Sequence, residues 1–139
     1  ITDPRFTAAP DTDLDAKLQA ALTALDHHQL VYLHIKAPDL FSHDRDPAGK
    51  RRFLERVDRS LQGLQDHGAV IAVTADHSTD SNTGAHTDDP VPSLIHAPDT
   101  DTAADRAEVN FGETACRQGS MPRQQGSQFL LRVIESMGY

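Results

Sequence analysis

Five side chains of metal-ligand type fall into three short clusters of this 139-residue chain. They are Asp39 and His43 in KAPDLFSHD, Asp76 and His77 in VTADHST, and His86 in GAHTDDPVP. Carboxylate mixed with imidazole suits a hard-to-borderline divalent cation: manganese, zinc, cobalt or magnesium. Asp39 and His43 are four residues apart, so one helical turn would set both on one face and let them converge on an ion. Asp76 and His77 are adjacent, and their side chains start in different directions. They fit one metal only if the backbone turns sharply after the preceding strand; otherwise they serve two neighbouring metals. His86 lies in a loop rich in Gly, Thr and Asp that can fold back over them. A lone Asp-x-x-x-His is a weak signal, because a surface hydrogen bond explains it as well. Two of the three clusters, however, follow apolar runs that read as strands, and loops leaving strand ends are where α/β proteins build their sites. Together the clusters predict a metal centre.

The other histidines read as structural. His27, His28 and His67 close helical patterns, where a cation is favourable. His34 lies within an apolar run and His96 just past one. Lys36, beside the Asp39 cluster, is weighed as a phosphate-facing cation. Arg117 and Arg123 flank GSMP and read as surface arginines or partners of the chain's own carboxylates, with contact to an anionic substrate as the alternative. The Lys50–Arg52 cluster reads as a solvated helix face. Cys116 reads as a small buried hydrophobe.

The elements that must position these groups follow from periodicity. Residues 1–12 are rich in Pro, Thr and Asp and read as loop. Leu14, Leu18, Ala21, Leu22 and Leu25 recur at helical spacing, with Asp13 placed to cap the start. Leu30–Ile35 (LVYLHI) reads as a buried strand. Pro47 opens a second helix with Phe53, Leu54, Val57, Leu61 and Leu64 on one face, and Gly68 ends it. Val70–Thr74 reads as a strand, 76–92 as a polar loop and Ser93–Ile95 as a short strand. Residues 97–107 read as a mobile acidic loop, and Phe129, Leu130, Val133, Ile134 and Met137 mark a closing helix. This alternation predicts an α/β fold with a parallel or mixed sheet flanked by helices.

Composition bounds the function. The length fits one domain. A formal net charge of −8, from 21 acids against 13 Lys plus Arg, argues against nucleic-acid or anionic-membrane partners. One cysteine cannot form an internal disulfide. No apolar run reaches spanning length and no signal segment opens the chain, so the expectation is a cytoplasmic protein. The first residue is Ile1, which points to processing or to a piece of something longer.

Three stretches carry a resemblance: LVYLHIKAPDLFSHDRDPAGKRRFLERVDRSL, VIAVTADHSTDSNTGAHTDDPVPSLI and VNFGETACRQGSMPRQQG. They resemble the C-terminal part of archaeal-type, 2,3-bisphosphoglycerate-independent phosphoglycerate mutases, of the alkaline phosphatase superfamily. The resemblance implies a two-metal site in a glycolytic isomerase, an intramolecular phosphotransferase that interconverts 2- and 3-phosphoglycerate through a phosphoserine. By resemblance, Asp39, His43 and His86 hold one metal, and Asp76 and His77 form part of the second. Manganese or zinc is expected there, with magnesium or cobalt as alternatives. The resemblance also implies an Asp ligand and a nucleophilic Ser near the family's N-terminus, and an inserted substrate-covering domain. Nothing before Asp39 matches them: Asp11, Asp13 and Asp15 precede or open a helix and follow no strand. Ser42, Ser78 and Ser81 lie near ligands but do not match the nucleophile, and Ser78 reads as a hydrogen-bond partner of a ligand.

The whole chain is therefore expected to be the C-terminal portion of such a catalytic domain, with its catalytic residue unassigned. An unpaired sheet edge would call for a missing N-terminal segment, a second polypeptide or self-association. Two alternatives stand beside the mutase: a phosphatase- or sulfatase-type hydrolase of the same superfamily, and a non-catalytic truncated metal-binding module.

Overall fold

The computed structural model describes residues 1–65, 67–98 and 110–139. Among them the chain divides into two units, one drawn from Ile1–Asp66 and Thr79–His86, the other from His67–Ser78 and Thr87–Tyr139.

In the first unit the helical spacing of leucines yields α1 (Leu14–Leu25), which buries Leu14, Leu18, Ala21 and Ala24. The Asp13 carboxylate accepts the Ala16 N–H at 2.9 Å, satisfying one of the donors that a helix start leaves without a partner. The short helix α2 (Ala37–His43) carries a proline in its first turn. The long helix α3 (Pro47–Gln65) opens on Pro47, and the Asp46 carboxylate accepts the Gly49 N–H at 2.8 Å. Leu14 from α1, Ala37 from α2 and Phe53 from α3 form the core, with Ile35, Phe41 and Val57 packed against it. The Phe41 and Phe53 rings meet in a tilted pair, centroids 5.8 Å apart. Polar ties span the helices at the rim. Ser60 Oγ donates to Asp15 at 2.9 Å, and Arg56 donates to the Pro10 carbonyl at 3.2 Å.

The segment Leu30–Ile35, expected to be a strand, forms no ladder among the described residues. Its side chains alternate. Leu30, Tyr32 and His34 are exposed while Val31, Leu33 and Ile35 are half-buried. The run is therefore covered on one face only, and its outer face is exposed, Tyr32 at 82%. A strand exists only where a neighbour takes its N–H and C=O groups, so composition alone could not settle this element.

The stretch 76–92, expected to be a loop, instead holds two strands, β2 (Ser78–Asp80) and β3 (Ala85–Thr87), paired with each other. Their turn is built by Asp80. Its carboxylate accepts the Asn82 N–H at 2.8 Å and the Thr83 hydroxyl at 3.0 Å, and its carbonyl accepts the Gly84 N–H at 2.7 Å. Polar side chains on both strands hid the hairpin from a hydrophobic pattern.

In the second unit β1 (Ile71–Val73) pairs with β4 (Leu94–His96), as the two apolar runs suggested. The pairing is antiparallel, with Ala72 opposite Ile95, where the alternation pointed to parallel or mixed pairing. A parallel pair needs a crossover, usually helical, and the connection between these strands carries a hairpin instead. The unit closes with α4 (Glu113–Gln118), absent from the periodicity, and α5 (Gly126–Ser136), the expected final helix. Ala97 and Val133 are its buried apolar residues among those described. The acidic loop expected at 97–107 lies almost wholly outside the described residues. No helix among the described residues is long and apolar enough to cross a membrane.

A methyl group on Gly49 would stand 2.1 Å from Asp46 Oδ2 and 2.7 Å from the Phe41 ring, disturbing the α3 cap and the core together. Gly49→Ala is expected to destabilise the chain by about 1–3 kcal/mol, read as a lower urea midpoint at unchanged slope.

Candidate metal centre

The i, i+4 spacing of Asp39 and His43 falls on α2, so one turn of helix stacks the two side chains. His86 comes from β3, on the hairpin of the same unit. The three side chains converge. His43 Nε2 lies 3.4 Å from Asp39 Oδ1, His86 Nε2 lies 3.9 Å from that oxygen, and the two Nε2 atoms are 3.2 Å apart. Around a tetrahedral ion with ligand distances near 2.0–2.1 Å, neighbouring ligand atoms stand about 3.3–3.4 Å apart. The donor set and its spacing fit a single divalent cation with one face left open.

The candidate ligands Asp39 and His43 are oriented by partners outside the cluster. His43 Nδ1 lies 2.8 Å from the Gly84 carbonyl, which can only accept, so Nδ1 carries the proton and Nε2 presents its lone pair. Arg45, in the left-handed region at φ 56°, follows α2 and donates Nε to the Thr83 carbonyl at 3.2 Å. The turn is thus held at two successive carbonyls. Asp39 receives the Thr79 hydroxyl on Oδ1 at 2.8 Å and the Lys36 ammonium on Oδ2.

Partial burial raises the Asp39 carboxyl, but the hydrogen bonds from Lys36 and Thr79, with the Lys36 and His43 charges, outweigh it. The carboxyl is held down at about 2. The carboxylate is therefore ionised and aimed throughout the neutral range.

Asp76 and His77 belong to the second unit and sit beside each other. The His77 N–H donates to Asp76 Oδ1 at 3.1 Å, and His77 Nε2 stands 3.5 Å from Asp76 Oδ2. The Asp76 side chain is largely exposed. Among the described residues the grouped ligands are Asp39, His43 and His86.

Sequence reasoning missed three contributors. Lys36, weighed as a phosphate-facing cation, grips Asp39 instead; its i, i+3 spacing was the available signal. Thr79 reaches Asp39 from 40 residues away, which no local pattern reveals. Lys50, read as part of a solvated face, donates to the buried Ser42 at 2.7 Å. Arg117 and Arg123 are exposed, as expected of surface arginines. Cys116 is half-buried, its thiol 3.7 Å from the Ser93 carbonyl.

Residues 4–130 of this α/β chain, which include the carboxylate–imidazole cluster, match the Metalloenzyme superfamily. The chain belongs to that superfamily. It is similar to the 2,3-bisphosphoglycerate-independent phosphoglycerate mutase of Methanopyrus kandleri, at 38% identity over 97% of this chain and 32% of that protein. It is also similar to the 2,3-bisphosphoglycerate-independent phosphoglycerate mutase 1 of Archaeoglobus fulgidus, at 38% identity over 94% of this chain and 32% of that protein. A solved protein from Pyrococcus horikoshii superposes with a TM-score of 0.89 at 31% identity, covering 99% of this chain and 42% of the other. The chain thus spans about a third of the length of these curated relatives.

Removing the ammonium should release the carboxyl. In Lys36→Met, Asp39 is expected to titrate closer to the ordinary aspartate value of about 3.9, followed by carboxyl carbon NMR in the metal-free chain. The linked stability is present above about pH 4 in the parent chain and is lost as the pH falls toward about 2. In the variant that acid-dependent contribution should shrink.

Proposed function

We propose that this chain is the metal-binding part of a cofactor-independent phosphoglycerate mutase, acting on a phosphorylated small acid. The observation that carries the reading is the convergence of Asp39 Oδ1, His43 Nε2 and His86 Nε2, in a superfamily member whose relatives bear that name. The ion proposed there is zinc or manganese, with cobalt or magnesium able to substitute, and Asp76 and His77 are proposed as part of a second metal site. A divalent ion in such a site supplies Lewis acidity toward phosphoryl oxygens and hydroxyl groups.

The chain's own residues prepare for it. Lys36 and Thr79 keep Asp39 ionised and fix its plane, and the Gly84 carbonyl selects the His43 tautomer that can ligate. The phosphoryl-accepting serine is assigned to none of Ser42, Ser78 and Ser81. Ser42 is fully buried and its hydroxyl is committed to neighbours, so it offers no attacking lone pair. The exposed apolar face of 30–35 supports completion by further polypeptide, whether a segment of the same protein, another chain or a second copy.

Calorimetric titration with Zn2+ or Mn2+ is expected to give one tight site per chain, weakened at least about tenfold in Asp39→Asn and His86→Ala. The isolated chain is expected to show little or no mutase turnover. Absence of any metal binding sinks the site; robust turnover by the purified chain sinks its proposed incompleteness.

A further inference from the structure

Ser42 has no exposed surface, and its hydroxyl is saturated. Oγ donates to the Pro38 carbonyl at 3.2 Å, accepts from Lys50 Nζ at 2.7 Å, and accepts from the Ser81 hydroxyl at 3.2 Å. One donor and two lone pairs are all that a serine hydroxyl possesses. The three partners come from three elements: α2 itself, the first turn of α3, and the turn joining β2 to β3. Ser42 also lies between the two ligands of α2, three residues after Asp39 and one before His43. Ser81 opens the turn of the hairpin that carries His86. The hydroxyl is therefore one point, and a fully buried one, at which the element bearing two ligands is joined to the element bearing the third.

We infer that Ser42, Lys50 and Ser81 are positioning residues for the Asp39–His43–His86 site, a buried polar junction that sets the distance between α2 and the hairpin. The inference rests on the metal reading of those three ligands. A lysine suits the task. Its long stem lets α3 reach into the junction, and its ammonium makes a stronger, charge-assisted bond than a neutral donor would. Ser42 back-bonds to Pro38 across one turn, so the same hydroxyl ties the helix start to the ligand pair. The other ties between α2 and the turn, from His43 to Gly84 and Arg45 to Thr83, act at the turn's far end. Together with the Thr79–Asp39 bond, the Ser42 junction holds the β2 end of the hairpin on α2, so losing it would loosen that end and let the His86 strand shift relative to the other ligands.

The test titrates the full 139-residue chain with Co2+ and follows its visible ligand-field bands, comparing the parent with Ser81→Ala, Lys50→Met and Ser42→Ala. Ser81→Ala changes a hairpin residue outside the helical core, so it reports even if Ser42→Ala fails to fold. The expected result is about tenfold weaker Co2+ affinity and changed band positions in Ser81→Ala and Lys50→Met, with the metal-free melting temperature and circular dichroism close to the parent's. Parent-like affinity and bands in both folded variants overturn the inference alone. So does weaker affinity that tracks a lower metal-free melting temperature while the bands stay put, since that marks a general loss of stability. A parent chain with no cobalt band overturns the metal reading, and the inference falls with it.

Discussion

The bond between the His43 imidazole and the Gly84 carbonyl is the constraint on which the candidate centre depends. It joins α2 to the β2–β3 turn, and it determines which nitrogen of His43 is available to a metal. Both effects need Gly84. Its φ of +73° belongs to the left-handed region that favours glycine, and a methyl group there would stand 2.9 Å from the His43 carbonyl oxygen. The turn can approach the end of α2 this closely only because position 84 has no side chain. A residue with no chemistry of its own thus sets the geometry of one that has it.

Asp39 shows the opposing energetics of such a site. Partial burial disfavours its charge and, acting alone, would raise the carboxyl. Lys36 reverses the balance from within the same helical turn. Thr79, from β2, adds a hydrogen bond that also fixes the carboxylate plane. The cluster is therefore built to keep a negative charge next to two imidazoles, an arrangement that a cation completes. The chain's net charge of −8 has no bearing on this, since what counts is the charge within a few ångströms.

Much of this was legible in the sequence, and the limits have physical causes. The i, i+4 spacing of Asp39 and His43 announced a shared helical face, and α2 supplies it. Asp13 and Pro47 marked helix starts correctly, because capping is a local interaction. Val70–Thr74 and Ser93–Ile95 contain β1 and most of β4, since both runs are apolar. The β2–β3 hairpin escaped notice because turn hydrogen bonds from Asp80 specify it, with no alternating apolar pattern. Leu30–Ile35 has the composition of a strand, yet strand formation depends on a neighbour that composition does not report. Lys50 looked like surface because its own helix face is charged, and only tertiary structure brings its ammonium to Ser42. Residue type and spacing pointed to the candidate ligands; the partners that orient them could come only from the fold.

The candidate centre also bears on how the chain stays folded. The core of its unit is small, with Leu14, Ala37 and Phe53 at the centre, and the hairpin adds polar contacts with little apolar burial. Hydrogen bonds of this kind each contribute only about 0.5–1.5 kcal/mol net, so the hairpin is held on α2 by a handful of modest terms. A cation bridging Asp39, His43 and His86 would act on the same interface. Binding the folded form alone, it would add about 2.7 kcal/mol at a free concentration of 100 times its dissociation constant. That is comparable with the sum of the bonds from His43, Arg45 and Ser81 that now hold the turn. A site whose ligands span two weakly joined elements is thus both a product of their docking and a cause of it. The polar junction would limit how far the candidate ligands must move to meet an ion, and a bound ion would in turn secure the junction.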